Sequence, residues 1–359
     1  MRNNNMDVIR GVAVFGLMYM NAYFFGLFEY GYVPTRFPPV SDHIIQCISL
    51  IFIDGRFRSL FSLLFGAALY IQWLRYQDLQ ILQKRLKILA YFGLFHGFIL
   101  WAGDILFIYA CAGWFTCKYL NQADEIIVKR AVQFLSIGAA VSFLLLLIEP
   151  SHPLSRADIE FSQSYQDIYA SWAALMSANA IAFFIMIIAV PLITIWMSAG
   201  LMLVGIFAYK KELFVKGIPN QYVKHFFVAA LFFTALRVIL EYQSSHLAVA
   251  LREPVNLYAA LFVALLFIHV VAKKWSQGRL FYTSFQCMGR LALSVYIMQT
   301  LILLLLFKVL YPSWILIFNR IDYFLLVTII AILQLLLCQL YNHFFKYGPL
   351  EILWRKLSS

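Results

Sequence analysis

Charge is scarce in this chain. Asp, Glu, Lys and Arg together make up 13% of its 359 residues, against about 25% in soluble globular domains. With 63% hydrophobic residues, too little polar surface remains to clothe a water-soluble fold of this size. Cysteine is sparse as well: Cys47, Cys111, Cys117, Cys287 and Cys338 are scattered, with no C-x-x-C pair and no alternation with histidine. That spacing excludes a disulfide framework and a zinc finger, and no metal site is expected. Several catalytic signatures are missing. There is no G-x-x-x-x-G-K-S/T, no G-x-S-x-G and no H-E-x-x-H, and no histidine has an aspartate five positions later. The last absence disfavours the pattern of soluble-type glycerolipid acyltransferases. Long polar stretches are lacking too, so one membrane domain over residues 1–359 is the natural reading.

What is present is apolar and aromatic, with 34 Phe and 21 Tyr. Ten apolar runs cover residues 8–28, 57–74, 86–101, 105–120, 127–148, 178–208, 226–240, 257–271, 291–310 and 323–340, with a shorter amphipathic stretch at 44–53. They predict an all-α polytopic protein of about ten transmembrane helices. The shortest runs fall below the ~20 residues needed for a 30 Å hydrocarbon core, so flanking residues or bilayer thinning must supply the rest. Arg2 and Arg10 ahead of a long apolar stretch resemble a signal peptide, but Asp7 and Arg10 interrupt the expected region and no A-x-A site follows before Tyr32. The first run is therefore read as a retained helix.

The net charge of +11 is distributed in short clusters between apolar runs, which disfavours nucleic acid as partner and fits the positive-inside rule. With the N-terminus inside, 20 of the 28 Lys and Arg residues fall in inside segments, from Arg2 and Arg10 through Arg75, Lys84, Arg85 and Lys87 to Arg279, Arg290, Lys346, Arg355 and Lys356. The C-terminus then also lies in the cytoplasm. The expected organisation is N-terminal helices over 1–148, an extracytoplasmic loop over 149–177 and C-terminal helices over 178–359. In the loop, Ile168, Tyr169 and Trp172 suit an interfacial helix. No fixed-period repeat is visible.

Ionisable groups within membrane runs are costly, and each is a candidate for function. His96 lies near the middle of the third run, flanked by Gly93 and Gly97. A low dielectric favours its neutral form, the form a general base needs; a histidine hydrogen-bonded to a neighbouring helix is the alternative. Gly93 and Gly97 form a G-x-x-x-G face suited to close helix contact, although the spacing is common by chance in apolar sequence. Asp104 follows eight residues after His96, which is ~12 Å along a straight helix. Only a break at Gly103 or a bridging group makes them partners. Otherwise Asp104 is the N-cap of the fourth helix. Asp7 and Arg10 are spaced for an intrahelical pair. Arg10, Arg85 and Arg290 together suit a cytoplasmic anion site, though positive-inside topology is the simpler account of all three. Arg237 and Glu241 are spaced as an i, i+4 pair. His225 and His269 fall near helix ends, and His43, His152 and His246 in loops. Asn21 and Gln299 are polar groups on membrane runs that either line a cavity or bond between helices.

The order of these residues resembles the YeiB-like family of bacterial membrane proteins. The resemblance is carried by Asp7-Val8-Ile9-Arg10-Gly11, Asn21, Phe57, Leu60-Phe61-Ser62-Leu63-Leu64-Phe65-Gly66, Phe95-His96-Gly97, Trp101-Ala102-Gly103-Asp104-Ile105-Leu106, Tyr109 and Gly113. It continues through Gly289-Arg290-Leu291-Ala292-Leu293-Ser294, Tyr296, Gln299, Gly348-Pro349-Leu350-Glu351 and Trp354-Arg355. The family is similar to heparan-α-glucosaminide N-acetyltransferase and other transmembrane acyltransferases. The resemblance therefore implies a multi-pass enzyme of the bacterial inner membrane that moves an acyl group from acyl-CoA to an envelope glycan, glycolipid or other hydroxyl or amine acceptor. His96 would be the base, Asp104 its orienting partner, and Arg10, Arg85 and Arg290 the holders of the donor phosphates. A transporter or flippase of a small metabolite or lipid is the alternative from another class, and a non-catalytic partner in envelope assembly is a third.

Overall fold

The computed structural model describes residues 4–148, 154–275 and 280–358. Arg2, His152 and Arg279 lie outside them. The described residues form sixteen α-helices, short 3-10 and π turns, and no strand. In chain order these are α1 (Asn4–Asn21), α2 (Val40–Phe52), α3 (Arg56–Tyr76), α4 (Leu79–Phe95), α5 (Leu106–Cys117), α6 (Asp124–Ile148), α7 (Ile159–Tyr169) and α8 (Trp172–Lys210). The second half comprises α9 (Leu213–Lys216), α10 (Asn220–Glu241), α11 (His246–Lys274), α12 (Leu280–Arg290), α13 (Ala292–Leu304), α14 (Trp314–Ile317), α15 (Arg320–Phe344) and α16 (Pro349–Ser358).

Each of the ten apolar runs is helical through most of its length. Length and apolarity suit six helices among the described residues to crossing a bilayer, or seven if a bent pair is one span. The α5 helix, at twelve residues, is too short to cross by itself. Membrane residence is legible from side-chain exposure. On α15, Leu325, Ile329, Ile332, Leu333, Leu336 and Leu340 are exposed, while Tyr323, Val327, Ile330, Ala331, Gln334 and Cys338 on the other side are buried. Such a bare apolar face would be untenable in water and is the ordinary outer surface of a helix in lipid. The chain is thus a multi-pass helical membrane protein.

Small residues set how closely the helices pack. A Cβ at Gly11 would lie 1.9 Å from the Phe285 carbonyl oxygen, and one at Gly289 would lie 1.8 Å from that of Asp7, so α1 and α12 touch backbone to backbone. The same reciprocal approach joins α3 and α8, where Gly66 meets the Met202 carbonyl and Gly205 that of Leu63. Between lipid-solvated helices, this close van der Waals contact substitutes for the hydrophobic drive of a soluble core.

On the expected extracytoplasmic side, α7 meets the first part of α8 at 112°. A helix does form in this segment, with Ile168 and Tyr169 on it, but Trp172 begins the next helix because Ser171 caps α8 through Ala174 N–H. Arg156 ties this region down: its Nε donates to the Val33 carbonyl (2.7 Å), Nη1 to that of Leu316 (3.0 Å) and Nη2 to that of Phe318. His43 and His246 are exposed as expected but belong to the first turns of α2 and α11 and not to loops. His269 Nδ1 accepts from Ile218 N–H at 3.0 Å, a backbone-satisfying role near a helix end.

Candidate active site

The α4 helix does not run straight into α5. It widens into a π turn over His96–Leu100, and Trp101 then adopts an extended conformation, φ −154° and ψ 125°. A break inside a membrane run frees backbone groups that lipid cannot satisfy. Asn179 of α8 supplies the missing partners. Its Oδ1 accepts from Ala102 N–H at 2.8 Å, and its Nδ2 donates to the Gly97 and Phe98 carbonyls, both at 3.0 Å. Trp101 stacks on Phe25, with ring centroids 4.4 Å apart, and holds the turned chain against the end of the first membrane run.

The break brings Asp104 back onto His96. Asp104 Oδ1 lies 2.9 Å from His96 Nδ1, and Asp104 Oδ2 accepts from Phe107 N–H at 2.8 Å. Asp104 is therefore both the cap of α5 and the partner of His96, so the two sequence readings hold together. On the other side of the ring, His96 Nε2 lies 3.0 Å from Thr300 Oγ1 of α13. Asp104 acts as an acceptor through both oxygens, which assigns the proton to Nδ1 and leaves Nε2 to accept from the Thr300 hydroxyl. His96, Asp104 and Thr300 are 1%, 4% and 2% exposed. Tyr296, one turn before Thr300, packs its ring 5.2 Å from the imidazole.

Gly93 and Gly97 make room for this arrangement against two different neighbours. A Cβ at Gly93 would meet Phe107 N at 2.3 Å and Asp104 Oδ2 at 2.7 Å, and one at Gly97 would strike the Phe183 ring at 2.1 Å. A cavity of about 410 Å³ is lined by the neighbouring Ile99, Leu100, Trp101, Leu304 and Lys308 among others, but by none of His96, Asp104 and Thr300. Leu304 is one turn beyond Thr300, about 6 Å along α13.

The other predicted site residues divide. Arg10 Nη1 lies 3.1 Å from Asp7 Oδ1, and Arg290 Nε 3.8 Å from Asp7 Oδ2, so Asp7 gathers both arginines where α1 and α12 touch. Arg85 is held elsewhere: its guanidinium covers the Trp354 ring at 4.6 Å and bonds the Tyr76 hydroxyl at 3.3 Å. Gln299 is an interhelical link, donating to Gln334 Oε1 at 3.1 Å and to the Val14 carbonyl at 3.3 Å. Asn21 is half-buried where α1 gives way to a 3-10 turn. Sequence reasoning missed Thr300 and Asn179. Both are small polar residues in apolar runs, and the one available signal was their polarity.

The amino-acid sequence is similar to those of known proteins. A family model described as a protein of unknown function, DUF418, matches residues 208–359. The chain is 28% identical to the uncharacterized protein YeiB of Escherichia coli (strain K12), over 99% of this chain and 96% of that one. It is 25% identical to an uncharacterized 39.9 kDa protein in the amylase 3' region of Bacillus acidopullulyticus, over 99% and 94% of the two chains. Identity to the uncharacterized protein YxaH of Bacillus subtilis (strain 168) is 22%, over 98% and 93%. No solved structure matches the chain. With this overlap, the chain carries a DUF418 domain in residues 208–359 and is homologous along nearly its whole length to YeiB-like proteins.

Proposed function

We propose that the chain is a transmembrane acyltransferase of the bacterial inner membrane, crossing it about ten times with both termini in the cytoplasm, that transfers an acyl group from acyl-CoA to a hydroxyl or amine of an envelope glycan, glycolipid or similar acceptor. The observation that carries this reading is the buried Asp104–His96–Thr300 chain. Asp104 fixes the imidazole tautomer so that Nε2 presents its lone pair, as a general base requires. Thr300 has a second acceptor in reach, the Tyr296 carbonyl at 3.4 Å. Its hydroxyl can turn there when an acceptor hydroxyl enters. His96 then takes the acceptor proton as the oxygen attacks the thioester carbonyl, and returns it to the departing thiolate. Arg10 and Arg290, gathered on Asp7, form the proposed holder of the donor phosphates, with Arg85 as a separate cationic contact.

Saturable binding of acetyl-CoA or a longer acyl-CoA to the purified protein, weakened in Arg10→Ala, Arg85→Ala or Arg290→Ala, would support the donor site. No binding at millimolar ligand would sink it. The broken helix at Trp101 favours one other reading, a transporter or flippase, because discontinuous helices near the midplane are a transporter device. Uptake into proteoliposomes without covalent change of the solute would decide for it.

A further inference from the structure

A second cavity, of about 540 Å³, opens among α3, α6, α8 and α11, and none of His96, Asp104 or Thr300 lines it. Its size is that of small-molecule sites. Its lining is unusual for a gap between membrane helices. Arg58 and Glu253 face each other across 3.9 Å at its edge, and the hydroxyls of Ser59, Ser142, Thr194 and Ser198 enter from three helices. Asn256 completes the polar surface. It is 1% exposed and held on both sides, its Oδ1 accepting from Arg56 Nη1 and its Nδ2 donating to Asp54 Oδ2 at 3.3 Å. The remaining wall is aliphatic, including Leu145 of α6, whose side chain is also part of the outer apolar surface.

The geometry points to a binding site for an uncharged, hydroxyl-rich molecule, a sugar or polyol head group, held between Arg58–Glu253 and the ring of hydroxyls. An apolar ligand would strip water from a charged pair and several hydroxyls without replacing its hydrogen bonds. An anion would compete with the Glu253 carboxylate for Arg58, and a cation with Arg58 for Glu253, because the two ionic groups of the lining balance. A neutral polyol meets neither penalty. Each of its hydroxyls both donates and accepts, which matches a guanidinium, a carboxylate and serine hydroxyls at once. The aliphatic wall reaching the lipid surface leaves a route for the tail of a lipid-linked sugar. The inference stands apart from the acyl-transfer reading, since it uses none of those residues.

Calorimetric titration of the purified full-length protein in detergent tests it, with methyl α-glucopyranoside and trehalose as neutral probes and glucose 6-phosphate and glucosamine as charged counterparts. Saturable binding of at least one neutral probe is expected, at least tenfold tighter than either charged one. Leu145→Trp, which fills the cavity from its lipid-exposed rim, should weaken that binding at least tenfold. Glu253→Gln should reverse the preference, since Arg58 is then uncompensated and glucose 6-phosphate gains at least tenfold over the neutral sugar. This reversal decides the matter even if the tryptophan variant does not fold. Absence of saturable binding by both neutral probes, or a wild-type preference for the phosphate, overturns the proposal.

Discussion

His96 Nδ1 and Asp104 Oδ1 lie 2.9 Å apart, although eight residues of straight helix would separate them by ~12 Å. The π turn at His96–Leu100 and the extended Trp101 make up the difference, returning the chain so that α5 starts against the imidazole. A polar pair buried this deeply in a membrane protein needs a backbone device to assemble it, and the device here has its own hydrogen-bond partner in Asn179.

Removal of the base should separate chemistry from folding. His96→Ala is predicted to lower acyl transfer by roughly 10²–10⁴-fold, the usual contribution of a positioned general base. Asp104→Asn should lower activity by a comparable factor, because an amide whose oxygen keeps Phe107 N–H turns its Nδ2 donor toward His96 Nδ1 and inverts the tautomer. Its stability should change little, since Asn caps a helix as well as Asp. Turnover with a model acceptor, alongside thermal unfolding in detergent, reads both; full activity in His96→Ala would remove the mechanism.

Thr300 distinguishes two chemistries. If its hydroxyl only occupies the place of an acceptor, Thr300→Val should leave turnover within a few-fold of wild type, because the entering hydroxyl still reaches His96 Nε2. That is the expected result. Loss comparable to His96→Ala would instead make Thr300 a covalent nucleophile, and an acylated Thr300 would then be sought by mass spectrometry.

Asn179→Leu is predicted to destabilise the protein by about 1–3 kcal/mol, since the Ala102 N–H and two carbonyls lose their partner. Activity should fall with it, because the same bonds hold the break that positions His96. An unfolding midpoint equal to wild type would show that other groups satisfy this backbone.

The two glycines beside His96 should respond unequally. A methyl at Gly93 meets backbone and the Asp104 carboxylate, which cannot move aside, whereas one at Gly97 meets a phenylalanine ring. Gly93→Ala is expected to cost about 1–3 kcal/mol, the range of overpacked cores, and Gly97→Ala less if Phe183 swings away. Equal destabilisation would mean that Phe183 is as fixed as the backbone.

Arg156→Ala should loosen the segments around it, because the Val33, Leu316 and Phe318 carbonyls lose charged donors. A stability loss of roughly 2–3 kcal/mol is expected, with faster proteolysis near residues 154–158 and unchanged acyl-CoA binding. Unaltered protease sensitivity would assign the tether elsewhere.

The amino-acid sequence by itself determined that this chain is helical and lives in a membrane, because solvent choice is a property of composition: every apolar run became helix, and α15 still shows its lipid face by spacing alone. It also located short-range relationships, since residues three or four apart on a helix are neighbours whatever the fold. Asp7 does pair with Arg10, and Arg237 Nη1 reaches Glu241 at 2.7 Å. Longer relationships were decided by the tertiary structure. Apolarity marks a run but does not say whether it crosses straight, bends or stops halfway, so the break after His96 and the short α5 were not legible in a run of hydrophobic letters. Nor was the choice of partner across helices. Thr300, 204 residues from His96, looks like a single polar residue in an apolar run, and Asn256, which meets Arg56 from another helix, like one more polar residue at the edge of one. Only packing decides whether such a residue faces lipid, bonds a neighbour or lines a cavity.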